Sequence, residues 1–477
     1  MTVGERALDP PLLLRNVEVE GVATDVLLEH GRIAAIDPRL VARQGAEEVD
    51  GLGGALIPGL HDHHIHLLAT AAAARSVTCG PPAVQNRDEL VDALRAADRA
   101  LPPDRWMRAV GYHESIAGDL DRSDIDRIVH QRPVRLQHRS GARWTLNSAA
   151  LSALSIADRT DPGIERDAGG EPTGRLHRAD FWLRALLPRD EAPDLAALGT
   201  RLARFGVTGV TDMTPYETAD DLAAITDAVR SCALPQRVMV TGGPALAGAA
   251  FPVELERGPV KLLIDDGDYP SLELLTDQIA AAHEHERSVA IHCVTQTSLV
   301  LALAAWDVVG ARAGDRVEHG SVIPPELIEA MRRHRLTVVT QPGFVAERGD
   351  EYLRDVAPDD RPHLYRCRSL IEAGLPVAGS TDSPYSSPDP WLAMRAAVSR
   401  RSLAGATIGE LERIDPAQAL CLFLGDLADP GGPPRQVSVG APADLCLLGQ
   451  PLAETLDRLD SGVVVATIRA GRVVHRT

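Results

Sequence analysis

The sequence predicts an α/β protein: a (β/α)8 barrel of the TIM type carrying a small β-sandwich made from both chain ends. Two observations lead there. Short apolar strands alternate with amphipathic helical stretches through the middle of the chain, which implies a parallel sheet. At both ends the pattern changes to strands of period two joined by tight turns. With 477 residues and 51.0 kDa, the chain exceeds what one small core needs.

From the first residues onward, segments 12–19 and 23–29 alternate apolar and polar side chains, and His30-Gly31 turns the chain into 32–36. The far end repeats the style in 443–448 and 463–470, with Gly471 before 472–474. Residues 1–57 and 436–477 are therefore expected to complete one β-domain together, leaving 58–435 for the barrel. Within the barrel, 206–212, 289–292, 316–319, 336–340 and 376–380 read as strands, several followed by helical patterns. No GxGxxG or GxxxxGK[ST] follows a strand, which speaks against an open nucleotide-binding sheet. The stretch 68–204 is too long for a connection, has its own helices and Pro/Gly turns, and is expected to be an inserted subdomain enclosing substrate.

Composition narrows the function. Hydrophobic residues form 44% and charged residues 24% of the chain, ordinary globular usage. A formal charge of −18 argues against a nucleic-acid partner. No apolar run approaches the roughly 18 residues of a membrane span, so a cytoplasmic enzyme with a small-molecule substrate is expected, with self-association left open. The six cysteines show no CxxC pairing and are expected to be buried small hydrophobes. Of the 49 basic residues only Lys261 is a lysine, and it lies in a short strand pattern, 259–264. A neutral amine can add CO2 to give a carbamate that bridges metal ions, whereas a guanidinium cannot readily do so. The alternative is a lysine salt-bridged to Asp265 or Asp266.

The strongest local signal is Pro58-Gly59-Leu60-His61-Asp62-His63-His64-Ile65-His66. On a strand, residues two apart face one way, so His64 and His66 can hold one ion from one edge. His61 and His63 leave the choice of pair open. His292, His319 and Asp382 each close a strand pattern, and in a parallel barrel the C-terminal strand ends converge on one mouth. Imidazole nitrogens with a carboxylate suit a borderline divalent metal.

With these residues in view, the sequence resembles the amidohydrolase superfamily, specifically amidohydrolase family 3, which includes N-substituted formamide deformylases. The resemblance covers almost the whole chain and rests on the 58–66 run, Gly-Glu-Pro-Thr-Gly at 170–174, the 206–212 and 316–321 runs, the Lys261 strand, His292, 379–384 and 443–448. It implies His64 and His66 from the first barrel strand, Lys261 from the fourth, His292 from the fifth, His319 from the sixth and Asp382 from the eighth. In binuclear relatives a carboxylated lysine bridges an ion held by the first pair and the aspartate to one held by the later histidines; mononuclear relatives leave the lysine unmodified. Residues 111–115 and 137–144 look like segments of members similar to urea and carbamate hydrolases, although Ala142 stands where many members carry histidine.

The expected reaction is hydrolysis of a non-peptide C–N bond in a small amide, urea or carbamate by metal-activated hydroxide, with Asp382 as general base and acid. Zn2+ is the expected metal, with Co2+ or Mn2+ as substitutes. Deamination or lactone opening on the same site, and an inactive scaffold, are the competing readings. Asp62 is expected to support the ligands, and His138, Arg139, Asn147, Tyr385 and Trp391 to line the pocket. His113 has no assigned role.

Overall fold

The computed structural model describes residues 10–188 and 192–477. The chain divides into two compact units, one made by the chain up to Leu67 together with Leu195–Thr477, the other by Leu68–Asp194.

In the larger unit eight short strands run parallel. They are β1 (Leu60–Ile65), β2 (Val207–Asp212), β3 (Arg237–Val240), β4 (Val260–Leu263), β5 (Val289–Cys293), β6 (Arg316–His319), β7 (Thr337–Thr340) and β8 (Val377–Gly379). The segments between them supply the helices, such as Leu272–Glu284 before β5 and Gln296–Val309 after it. All six residues of β1 and of β2 are buried, as expected for strands covered on both faces. The arrangement is TIM-barrel-like. The ladder is not one continuous ring, however. β1, β2 and β3 form one sheet with the two-residue strand Glu256–Arg257, and β4 to β8 form a second. At one join the outer edge of β3 is taken by Glu256–Arg257, which pairs with Met239 and Val240. Isolated backbone bonds bridge the joins instead, from Lys261 N–H to Gly242 O (2.8 Å) at one and from Asp382 N–H to His64 O (2.8 Å) and His66 N–H to Ser383 O (2.9 Å) at the other. Both joins involve residues singled out in the sequence.

The two chain ends supply two four-stranded sheets. Leu12–Val19, Val22–Glu29, Arg32–Asp37 and Glu47–Asp50 form one; Leu56–Pro58, Leu445–Leu448, Val464–Arg469 and Arg472–Arg476 form the other. Leu14, Val26 and Leu28 from the first share a single buried cluster with Leu445, Leu447 and Ile468 from the second. Their hairpin turns are residue–glycine pairs with both φ angles positive, His30-Gly31 at 51° and 73° and Ala470-Gly471 at 51° and 79°. That is the type I′ geometry, which matches strand twist and favours glycine at the second position. The cysteine expectation holds for Cys79, Cys293, Cys367 and Cys446, which are buried; Cys232 and Cys421 are exposed and need correction.

The smaller unit is a six-stranded mixed sheet with its own core. Its order is Ile164–Arg166, Pro172–His177, Arg143–Leu146, Val134–His138, Met107–Tyr112, Val77–Thr78. Leu90 and Leu94 of the helix Arg87–Ala100 pack with Met107, Ala109 and Leu136 of the sheet. Asn147, expected to touch substrate, has no atom left to do so. Its Oδ1 accepts from Val134 N–H (3.0 Å) and Ala150 N–H (3.0 Å), and its Nδ2 donates to Val129 O (2.9 Å) and Arg132 O (2.8 Å). It caps the helix Ser148–Ala153 and ties that helix to the strand before it. Asn147→Ala is expected to cost on the order of 3 kcal/mol, because four buried backbone groups lose their partner. A urea unfolding curve with an unchanged midpoint would contradict this.

Candidate metal centre

Strand alternation sets the first half of the centre. On β1 the side chains of Asp62 and His64, followed by His66 just past the strand end, share one side, while His61 and His63 share the other. His61 and His63 are wholly buried, their rings 6.1 Å apart, and burial holds both neutral, with His63 pushed down to about 3. The His64–His66 pair is therefore the one aimed at Asp382. His66 Nε2 lies 3.2 Å and His64 Nε2 3.5 Å from Asp382 Oδ1, and the three donor atoms fall within 4.8 Å of one another.

The second half depends on two unusual backbone conformations. His292 and Glu318 stand side by side in the β5–β6 register, so His319 by alternation belongs to the opposite face. A φ of 69° at His319 turns its ring back: it lies 4.4 Å from the His292 ring and 4.7 Å from the His64 ring. Asp382, at φ 56°, is re-aimed in the same way just beyond β8. Non-glycine residues in this region are strained, and such strain gathers at functional sites.

Each of three imidazoles is anchored through Nδ1. His64 Nδ1 meets Glu318 Oε2 at 2.5 Å, His66 Nδ1 meets Thr214 Oγ1 at 3.0 Å, and His319 Nδ1 meets Gln341 Oε1 at 2.9 Å. A carboxylate and an amide oxygen only accept, so Nδ1 of His64 and His319 carries the proton and Nε2 keeps its lone pair for a metal, and the Thr214 hydroxyl is able to accept from His66 in the same way. Burial drives His64 well below its ordinary value and His319 down to about 4, so both are neutral at pH 7, as ligands must be. Burial works against ionisation of Asp382, but His64, His66 and His319 outweigh it and hold the carboxyl well below the usual range.

Lys261 projects from β4 and is 2% exposed. Its Nζ makes no hydrogen bond, and neither do His64 Nε2 and Asp382 Oδ1. Burial lowers the Lys261 amine to about 8, against the pull of Glu318 and Asp382. Buried polar atoms are rarely left unpaired, so His64 Nε2 and Asp382 Oδ1, 3.5 Å apart and both with free lone pairs, fit a bound cation. The donor set of nitrogen and carboxylate oxygen matches Zn2+ and its borderline neighbours.

The remaining expected site residues divide. Asp62 is fully buried and accepts from Thr381 Oγ1 (2.5 Å), Thr381 N–H (3.0 Å) and His64 N–H (3.3 Å), joining β1 to the segment that carries Asp382. Burial raises its carboxyl to about 7. Tyr385 stands edge-on to His66 with ring centroids 5.4 Å apart. Trp391 does not line the site: it is 0% exposed, and its indole N–H donates to Phe205 O at 2.9 Å. His138 and Arg139 belong to the Leu68–Asp194 unit, where Arg139 N–H donates to Tyr112 O (2.7 Å). Sequence reasoning missed Glu318, Thr214 and Gln341. Glu318 carried a usable signal, because Arg316 lies two residues before it on one strand, and the two form a buried pair at 2.6 Å.

A model of the amidohydrolase family matches residues 47–475. The chain is 27% identical to the N-substituted formamide deformylase of Arthrobacter pascens, over 86% of this chain and 88% of that one. It is 26% identical to the Bacillus subtilis (strain 168) protein YtcJ, over 92% of both. Among solved structures, an uncharacterized metal-dependent hydrolase from Pyrococcus horikoshii OT3 superposes with a TM-score of 0.69 at 19% identity, covering 98% of this chain and all of the other.

Proposed function

The chain belongs to the amidohydrolase family, a hydrolase acting on carbon–nitrogen bonds other than peptide bonds, and from that premise we propose that it cleaves the C–N bond of a small amide, urea or carbamate at the His64–His66–Asp382 cluster. The observation that carries this reading is the convergence of imidazoles, each anchored through Nδ1, on one buried aspartate. The deformylase relative, whose name specifies an N-substituted formamide, favours a neutral acyl–nitrogen substrate. We take the eight parallel strands as the barrel and the two terminal sheets as its appended β-sandwich domain.

His64, His66 and Asp382 would hold one ion, and His292 and His319 a second, with Lys261 between them as a carbamate. Bound there, Zn2+, or Co2+ or Mn2+ in its place, supplies Lewis-acid polarisation of the scissile carbonyl and acidifies water. Lys261 would take the carbamate role once its neutral Nζ had added to CO2, forming an N–C bond and releasing one proton. Burial favours the neutral amine against the pull of Glu318 and Asp382, and a carbamate offers two oxygens to cations. Asp382, ionised at neutral pH, accepts the proton of the attacking water at a carboxylate oxygen and returns it to the leaving nitrogen, so that the amine departs neutral. Glu318 and Gln341 keep their histidines in the required tautomer through the cycle. Tyr385 narrows the space beside His66, which suits a small substrate.

Exhaustive chelation is expected to lower turnover of a formamide, urea or carbamate panel at least 100-fold, and one or two equivalents of Zn2+, Co2+ or Mn2+ to restore it. Unchanged turnover in metal-free protein would end the proposal. Lys261→Arg keeps the charge and removes the amine chemistry; it is expected to lower metal content from two equivalents to one or none. Full metal content and activity in that variant would favour a single ion with an unmodified lysine.

A further inference from the structure

Among the described residues a second group of ligand atoms converges, and it lies wholly inside the Leu68–Asp194 unit: His113, Glu114 and His138, whose donor atoms fall within 4.8 Å of one another. We propose that these three residues form an additional binding site for a transition-metal ion of the Zn2+, Co2+, Ni2+ class, separate in its residues from the His64–His66–Asp382 cluster.

The topology builds the site from two neighbouring strand ends. Met107–Tyr112 and Val134–His138 run parallel with Tyr112 opposite His138, so His138 and the residue after Tyr112 emerge together. Glu114 then opens the short helix Glu114–Ala117. The two rings face each other at 5.7 Å with 31° between planes, an arrangement that two charged imidazoles would resist. Glu114 Oε2 lies 2.9 Å from His138 Nε2 and 3.8 Å from His113 Nε2. Arg143 binds the other oxygen, Oε1, at 2.6 Å, which fixes the carboxylate plane and leaves Oε2 for the shared point. The histidine side chains are 17% and 16% exposed and Glu114 37%, so an ion can enter from solvent.

The support behind the rings is duplicated. In His113-Glu114-Ser115 and His138-Arg139-Ser140, each Nδ1 accepts from the backbone N–H of the serine two residues on, at 3.2 Å in both, and lies 2.9 Å and 2.7 Å from that serine's hydroxyl. Without an ion, Nε2–H of His138 donates to Glu114. A cation at the shared point takes the place of that proton, which shifts to Nδ1; Nδ1 then gives up its bond from the serine backbone N–H and donates to the serine oxygen instead. Histidine ligands are ordinarily held by such an acceptor behind the ring. Two imidazoles and a carboxylate, with a fourth position open to water, suit a borderline divalent ion, and the softness order favours Ni2+ and Zn2+ over Mn2+.

The test uses the full chain with His64→Ala, His66→Ala, His292→Ala and His319→Ala, so that neither histidine pair of the principal centre remains. Co2+ titration, followed by visible absorption and by equilibrium dialysis, is expected to show a bound ion that is lost, with affinity falling at least 100-fold, on adding His113→Ala and His138→Ala. Glu114→Gln should weaken it by roughly 10-fold to 100-fold, as partial loss of a ligand does. Equal binding with and without His113 and His138 would overturn the site. If the principal-cluster variant does not fold, elemental analysis of the dialysed wild-type chain against His113→Ala/His138→Ala decides: one equivalent less metal supports the site, and equal content overturns it. Neither measurement reads activity, so the outcome is independent of whether the catalytic proposal stands.

Discussion

Asp382→Asn is expected to lower kcat by about 10^3-fold, within the 10^2 to 10^4 range ascribed to a positioned acid or base. The amide preserves the shape of the side chain but can neither accept the proton of the attacking water nor hand it to the leaving nitrogen. Asp382 is the group on which His64 and His66 converge, at 3.5 and 3.2 Å, and its position depends on a left-handed backbone conformation that the shape-preserving amide leaves undisturbed. A factor of 10^3 corresponds to about 4 kcal/mol of transition-state stabilisation. Steady-state kinetics alongside circular dichroism separate this from misfolding: a folded variant with wild-type kcat would remove Asp382 from the chemistry.

The second large effect is expected at Glu318, a residue that need not touch substrate. One of its oxygens takes His64 Nδ1 and the other pairs with Arg316, and both partners are at most 2% exposed. Glu318→Ala leaves the Arg316 guanidinium buried without its counter-charge, a change on the order of 3 to 5 kcal/mol. Glu318→Gln keeps the volume and one acceptor oxygen, so it is expected to fold and to lose about 10-fold to 100-fold in metal affinity, the usual effect of disturbing the group behind a histidine ligand. Urea midpoints for the alanine variant and metal titration for the glutamine variant check the two parts separately. A Glu318→Ala midpoint equal to wild type would show that the buried pair contributes nothing.

Much of this was legible in the sequence because it depends on local rules. Residue–glycine turns announced the hairpins of both chain ends, and the i, i+2 spacing of His64 and His66 announced a shared strand face. The short strand pattern around Lys261 was legible as well, and the structure buries the lysine there. His292, His319 and Asp382 were recognisable as strand ends, which in a parallel sheet meet at one edge. What escaped depends on relations between strands. Glu318 meets His64 because β6 and β1 face each other across the interior, and nothing in the order of residues encodes that distance. His319 violates alternation through a positive φ, so period two alone would have placed it with the wrong neighbours. Trp391 and Asn147 were misplaced for a simpler reason: a polar or aromatic residue near a motif looks the same whether it faces a pocket or fills the core. The interrupted ring of strands was hidden too, since the pattern marks a strand but not which segment will pair with its edge.

The account stands on one claim, that the side chains gathered around Asp382 are metal ligands. Diffraction from crystals of the purified protein, recorded on both sides of the zinc absorption edge, tests it most directly. The account predicts an anomalous peak about 2.0 to 2.2 Å from His64 Nε2, His66 Nε2 and an Asp382 oxygen, with a second peak near His292 and His319 and added density on Lys261 Nζ if the centre is binuclear. A zinc-replete crystal with no anomalous density at this cluster would contradict it.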